Sequence, residues 1–342
     1  MSQIIQLSDW KDQKSWDEFV SSRADGTCYH LYGWRRAFEN GLGYQTRYFA
    51  ETKDGLIVGV LPVAFVSSKF FGKSVVSLPF CSYGGAIGED LDVINRLNKA
   101  ALEFSISVNA KYFETRNVNS EALSTTDTNL YVTFRKEMPH GPPDLSFIPS
   151  KRRNMVRKGT NAGLNSKVVD DLDGFYELYF ENARAHGTPA LPKRFFTELK
   201  AGLGSAIDIL FVLTSDSRAV SCIMSFYCNG VVHAGYAGEV GRAREIGAND
   251  FKYWSLYSHA KQRGCTIFDL GRSKVGTGSF EFKRLWGLTP SSIVHTQQLI
   301  SGHVIPKNNP TNPKFALAIK IWPRLPKPLT RFLGPKLIHG LG

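Results

Sequence analysis

The 342-residue sequence predicts an α/β protein of two tandem mixed domains, residues 1–140 and 141–300, followed by a basic tail at 301–342. Three observations carry this. The same order of helix-, strand- and turn-like segments occurs twice. Between the copies, Met138-Pro139-His140-Gly141-Pro142-Pro143 interrupts any regular element with three prolines and a glycine. Finally, the last carboxylate side chain is Glu281, while residues 301–342 hold seven Lys and Arg and no acid. A 42% hydrophobic, 12% aromatic and 21% charged composition excludes a disordered chain or a coiled coil.

In the first copy, helical patterns surround Trp16 to Val20 and Trp34 to Phe38. Strands follow at Thr46–Ala50 and Leu56–Val66 across a Lys53-Asp54-Gly55 turn. After Tyr83-Gly84-Gly85 comes a helix from about Leu91 to Asn109 and a strand at Tyr112–Arg116. The second copy predicts helices over Phe175–Ala185 and Lys193–Leu203, then strands over Asp208–Thr214 and Ala219–Cys228. Asn229-Gly230 is a hairpin signal leading into Val231–Ala237. A helix capped by Asn249 or Asp250 ends at Gly264, and Thr266–Leu270 closes the unit. Tyr83 aligns with Tyr236, and Phe113-Glu114 with Phe268-Asp269.

The net charge of +12 is uneven: +5 over the first 300 residues and +7 in the tail. A second basic cluster, Lys151-Arg152-Arg153 with Arg157-Lys158, follows a helix start at Pro149-Ser150. Such fields attract nucleic acid, anionic lipid or a phosphorylated substrate. No DNA-binding module is present, so DNA is not an expected partner. The five cysteines are scattered without a C-x-x-C pair, which fits a reducing compartment and predicts neither disulfides nor a metal site. With no signal-like start and no apolar run of about 20 residues, the expected location is the cytoplasm. Walker A, GxGxxG and HExxH patterns are absent.

Three segments then point to a family. They are Ser150 to Gly159, Tyr253-Trp254 through Phe268-Asp269-Leu270-Gly271-Arg272-Ser273, and Gly278-Ser279-Phe280-Glu281-Phe282-Lys283-Arg284-Leu285-Trp286-Gly287. In order and spacing they resemble the Fem-like (FemAB) branch of the GNAT acyltransferase superfamily, most of all the subgroup encoded beside exosortase (PEP-CTERM) and exopolysaccharide systems. The resemblance implies tandem GNAT-type domains, each a mixed, mostly antiparallel sheet flanked by helices. It also implies transfer of an acyl or aminoacyl group to an amine, with aminoacyl-tRNA or acyl-CoA as donor and no permanently bound cofactor. The acceptor would be an amine-bearing cell-envelope or polysaccharide precursor.

Acyl transfer needs a neutral amine, a route for its proton and donors for the oxyanion. The resemblance places backbone donors around Tyr236-Ala237-Gly238 and sets Lys283 against the donor's reactive end, with Phe282 lining the channel. Asp269 and Arg272 flank the end of the last strand, a usual place for site residues. Asp269 could orient an amine or act as base, and Arg272 could hold a carboxylate or phosphate. Tyr236 and Tyr83 could shuttle protons or stack on a sugar, Ser273 could touch phosphate, and His186 could reach a cleft as base. Arg244-Glu245-Ile246-Gly247-Ala248-Asn249 follows the acyl-CoA pyrophosphate pattern until Asn249, which stands where Gly or Ala is usual.

In the tail, the apolar run Phe315–Trp322 and interleaved basic residues give residues 311–342 the composition of a membrane-interface segment or of a strap across the domains. Two alternatives remain at this stage: a conventional acyl-CoA-dependent N-acyltransferase, and a non-catalytic scaffold that binds polysaccharide or RNA.

Overall fold

Short polar residues start several helices. Asp12, Asp90 and Asp171 each accept hydrogen bonds from N–H groups one turn ahead, satisfying donors that the helix cannot. The computed structural model describes residues 5–68, 72–117, 131–300 and 313–339; Lys307 and the rest of 301–312 lie outside them. The chain begins β1 (Ile5–Asp9), α1 (Gln13–Ser22), α2 (Trp34–Arg36), β2 (Gln45–Lys53), β3 (Leu56–Ser68) and β4 (Gly72–Val76). Next come β5 (Ile87–Gly88), α3 (Leu91–Ser107), β6 (Tyr112–Asn117), β7 (Tyr131–Glu137), α4 (Ser150–Asn161) and β8 (Asn165–Val168). Then follow α5 (Leu172–Ala185), α6 (Lys193–Leu203), β9 (Ile207–Leu213), β10 (Ala219–Cys228), β11 (Val231–Glu239) and α7 (Ala248–Gln262). The chain closes with β12 (Ile267–Lys274), α8 (Gly278–Leu285), β13 (Pro290–Ser292), β14 (Val294–Leu299), α9 (Pro313–Ile321) and α10 (Lys327–Ile338).

The strands form two mixed sheets. The first runs β1-β2-β3-β4-β6-β14, with β5 also on β3; the second runs β13-β7-β12-β11-β10-β9-β8. Both carry the same motif: a hairpin (β3–β4, β10–β11), a crossover helix (α3, α7), then a parallel strand (β6, β12). Each sheet takes a strand from across the expected 140/141 boundary and the far end of the chain. β7 lies beside β12, and β14 beside β6.

The halves share a core. Trp34 and Phe38 of the first copy pack on Phe195 of α6, with ring centroids 6.3 and 5.8 Å apart, and Trp34 lies edge-on to Phe226 of β10 at 5.1 Å. All four rings are fully buried, each stabilising the fold by about 1.5–3 kcal/mol. The Asn229-Gly230 turn forms as expected, with positive φ at both residues.

Two sequence expectations need correction. Helix α7 is capped by Gly247 in the left-handed conformation (φ +77°), not by Asn249 or Asp250, which sit inside its first turn. A Cβ on Gly247 would stand 2.5 Å from the Met155 carbonyl of α4, so this turn accepts only glycine. Nor are Tyr83 and Tyr236 equivalent. The parallel pairs end at Val76↔Glu114 and His233↔Asp269; Tyr236 comes three residues later inside β11, whereas Tyr83 comes seven later in a loop. The carboxylates Glu114 and Asp269 do correspond.

Candidate active site

The second sheet opens where its parallel pair ends. β11 and β12 are matched at Val231↔Ile267, Val232↔Phe268 and His233↔Asp269, and then both strands bulge. In β11, Ala234 and Tyr236 face consecutive residues Ser225 and Met224 of β10, leaving Gly235 as the extra residue. In β12 the register against β7 shifts between Asp269 and Arg272. Bulges bend a strand and end its pairing. Ala234–Glu239 therefore keep β10 on one side and have no β12 partner on the other. The Gly235 bulge also changes which way side chains point. Residues three apart on a strand normally face opposite ways, yet His233 and Tyr236 both pack on Phe226.

At this fork the buried Asp269 gathers groups from both halves. The Gly271 N–H donates to its Oδ1 at 2.6 Å, and the Tyr83 hydroxyl lies 3.2–3.3 Å from both oxygens. His233 Nδ1 and Arg135 Nε each approach to 3.4 Å, and neither nitrogen completes a hydrogen bond. Behind His233, its Nε2 meets the Tyr29 hydroxyl at 2.7 Å, giving the order Tyr29–His233–Asp269. Tyr83 also bonds Thr133 Oγ1. Burial alone would raise the Asp269 carboxyl, but the His233 ring, Arg135 and the Gly271 N–H outweigh it and hold the group below the usual carboxylate range. Burial drives the Tyr29 and Tyr83 phenols far up, so both stay protonated. A cavity of about 10 Å³, lined by Thr27, Cys28, Tyr83, Arg135, His233 and Asp269 among others, adjoins the carboxylate. It has room for about one water-sized group.

Lys283 of α8 reaches the same bulge. Its ammonium donates to the carbonyls of Gly271 and Arg272, each at 3.0 Å, and burial pushes its pKa down to about 8. Gly271 has φ +68°, and a Cβ there would stand 2.7 Å from His233 Cε1, so the bulge needs glycine. Arg272 lies over the Tyr131 ring at 4.6 Å, and its guanidinium makes no ion pair or hydrogen bond among the described residues. Burial, with Arg116 nearby, lowers its pKa to about 10. The Tyr236 hydroxyl is buried without a hydrogen-bond partner.

Asp269, Lys283, Arg272 and Tyr83 thus converge, and Tyr236 stands one residue past the bulge that opens the fork. The other predicted residues lie elsewhere. Ser273 pairs with Ser279 at 2.6 Å. The Phe282 ring packs on Tyr253 and Trp286 rather than beside the Lys283 ammonium, because neighbouring helix positions face different ways. His186 ends α5, with Nδ1 2.8 Å from the Asn182 carbonyl. Arg244 pairs with Glu239 at 2.8 Å, and Gly247 and Asn249 form the α7 start. Tyr29, His233 and Arg135 were not foreseen. Tyr29 and His233 are 204 residues apart in sequence, and the only available hint was a lone histidine in an apolar strand.

Comparisons with known proteins bear on the fold. Residues 150–284 match the model of an acetyltransferase (GNAT) domain. No curated protein matches the chain by sequence. Among solved structures, the fold is similar to that of FemX, with TM-score 0.65 and 13% identity over 93% of this chain and 100% of that one. It is also similar to L-PGS from Bacillus licheniformis, with TM-score 0.58 and 13% identity over 96% and 98% of the two chains. A tandem GNAT protein from the clavulanic acid biosynthesis pathway gives TM-score 0.55 and 8% identity over 88% and 100%. Residues 150–284 are therefore similar to a GNAT domain, and the chain has the two-sheet fold seen in tandem GNAT proteins.

Proposed function

We propose that the protein transfers an acyl or aminoacyl group from an activated donor to an amine. The observation that carries this reading is the fork between β11 and β12, with its bulge at Gly235, inside the segment matched by the GNAT model. The unpaired edge of β11 offers backbone donors to a carbonyl oxygen as it becomes an oxyanion. The amine nitrogen bonds to that carbonyl carbon while the bond from the carbonyl to the donor's sulfur or oxygen breaks. Asp269, held ionised, is a better hydrogen-bond acceptor than proton sink. Its part is to hold and orient the amine, whose size suits the adjoining cavity. The proton leaves along His233 and Tyr29. The unpartnered Tyr236 hydroxyl gives its proton to the leaving group and is reprotonated by the proton that His233 has taken from the amine, leaving no net charge on the protein. Lys283 fixes the bulge and sets positive charge beside the reacting carbonyl, and Arg272 holds an anionic part of a substrate.

The donor is acyl-CoA or aminoacyl-tRNA, and the acceptor an amine-bearing precursor of cell-envelope or exopolysaccharide assembly, as in the exosortase-linked Fem-type subgroup, made in the cytoplasm. The similarity to FemX supports the second donor. So does Asn249, which stands where the acyl-CoA pyrophosphate pattern has Gly or Ala. Thermal unfolding with acetyl-CoA, CoA and charged tRNA tests this. Saturable stabilisation by charged tRNA alone is the expected result. Stabilisation by acetyl-CoA would make the Arg244–Asn249 loop the donor site, and silence from all three would overturn both donor assignments.

A further inference from the structure

The C-terminal helices have two apolar faces where one would suffice. α10 packs on the body through Thr330, Gly334 and Ile338, a stripe spaced four residues apart and buried in each case. That seat is secured by Arg331 on Glu177 at 2.7 Å and Lys327 on Glu181. Arg184 donates to the Pro323 carbonyl at 2.6 Å, and the Tyr44 hydroxyl to the His339 carbonyl at 2.7 Å. A helix seated this way ordinarily turns polar residues to water. Instead the face opposite the stripe carries Leu329 and Phe332, 41% and 62% exposed, with Lys336 folded over the Phe332 ring at 3.9 Å. α9 adds Leu317, 66% exposed, and Ile321 one turn later. Five of the fourteen exposed large apolar side chains among the described residues fall in these two short helices, so they are concentrated in this segment rather than scattered over the chain.

Charge selects the occupant. The tail holds no acid, and its basic residues divide into two groups. Lys327 and Arg331 are consumed by the body's glutamates, whereas Lys320, Arg324 and Lys336 have no acidic partner among the described residues. A protein surface would need complementary acids at the rim of a small apolar patch. A bilayer supplies anionic headgroups at the rim and hydrocarbon at the centre. Long basic stems beside exposed Leu and Phe are suited to that boundary. No helix among the described residues is long and apolar enough to cross a membrane. We propose that α9 and α10 form a docking surface for an anionic lipid bilayer, lying in its interface with Leu317, Leu329 and Phe332 inserted. Docking of this kind is independent of the transfer chemistry.

The test is flotation of the full chain with vesicles of phosphatidylcholine alone and of equal parts phosphatidylcholine and phosphatidylglycerol, with oligomeric state followed in parallel. Binding is expected only to the anionic vesicles, weakening with salt. Phe332→Ser should lower the partition coefficient about tenfold, and Lys336→Gln about fivefold, both with unchanged thermal unfolding because the side chains are exposed. Absence of binding at low salt, or binding that Phe332→Ser and Leu329→Ser leave untouched, would overturn the proposal. So would a dimer abolished by Phe332→Ser in a protein that ignores vesicles, which would give the face to a second copy of the chain.

Discussion

Glu114 and Asp269 occupy the same place in the two sheets, each the last residue matched across a parallel pair, and their surroundings differ in kind. Glu114 is bound tightly: Arg116 Nε donates at 2.7 Å, Gln297 Nε2 at 2.8 Å, and His295 Nε2 lies at 3.0 Å. β4 stops beside it, and β5 comes back to pair with β3, filling the edge where a longer β4 would run. Asp269 has one short bond, from Gly271, while His233, Arg135 and Tyr83 stand back at 3.2–3.4 Å beside a cavity. β11 meanwhile continues past its last β12 partner. One copy of the motif has been closed into a structural ion pair. The other is left open, with donors that a substrate could complete. Burial would raise the Glu114 carboxyl, and the Arg116 and His295 charges reverse this strongly, holding it far below the carboxylate range.

The widest separation between the copies should come from paired amide substitutions. Asp269→Asn is expected to slow transfer by at least about 100-fold, because the amide is a weaker acceptor for the amine N–H and cannot polarise His233. Glu114→Gln should leave turnover within about threefold yet cost about 3 kcal/mol of stability at neutral pH by stranding Arg116. Because the folded Glu114 pKa is depressed, that stability is present above the ordinary carboxylate pKa and fades as pH falls through the folded value. Steady-state kinetics and denaturant unfolding of both variants decide it; equal losses of activity would dissolve the distinction.

Lys283 gives the next largest effect. Its folded pKa of about 8 lies below the ordinary lysine value of 10.5, so the unfolded chain binds more protons between the two. Wild-type stability relative to Lys283→Met should therefore rise as pH climbs through that window, by up to about 3 kcal/mol. Unfolding of both proteins at neutral pH and near pH 10 measures it, and a constant difference would put the ammonium in solvent rather than on the bulge. The smallest change in stability is expected at Tyr236. Phenylalanine removes a buried hydroxyl that has no partner, so stability should hold or improve by about 1 kcal/mol. Turnover should nevertheless fall about tenfold or more; unchanged turnover would confine this ring to packing.

Much of this could be read before any coordinates. The apolar strands Leu56–Ser68 and Ala219–Cys228, the Asn-Gly hairpin and the crossover helices each declare themselves locally, through apolar runs and turn chemistry. The Gly271–Lys283 segment was legible as part of a motif. Reading failed where partners are remote. β7 and β14 are short strands whose places beside β12 and β6 are set by pairing across the molecule, not by their own composition. Asn249 and Asp250 have cap chemistry, but the α7 cap falls at Gly247, which α4 crowds so that only glycine fits. Tyr236 was matched to Tyr83 because a bulge shifts side chains without altering the sequence around it.

By itself, then, the sequence determined the main helices and central strands, the doubled motif and the charge asymmetry of the tail, since all three depend on residues close together in the chain. The tertiary structure alone decided which copy stays open, and it drew Tyr29, His233 and Asp269 into one line. Those contacts form between residues far apart in the chain, and they depend on two bulges, each a shift of register that no local preference encodes.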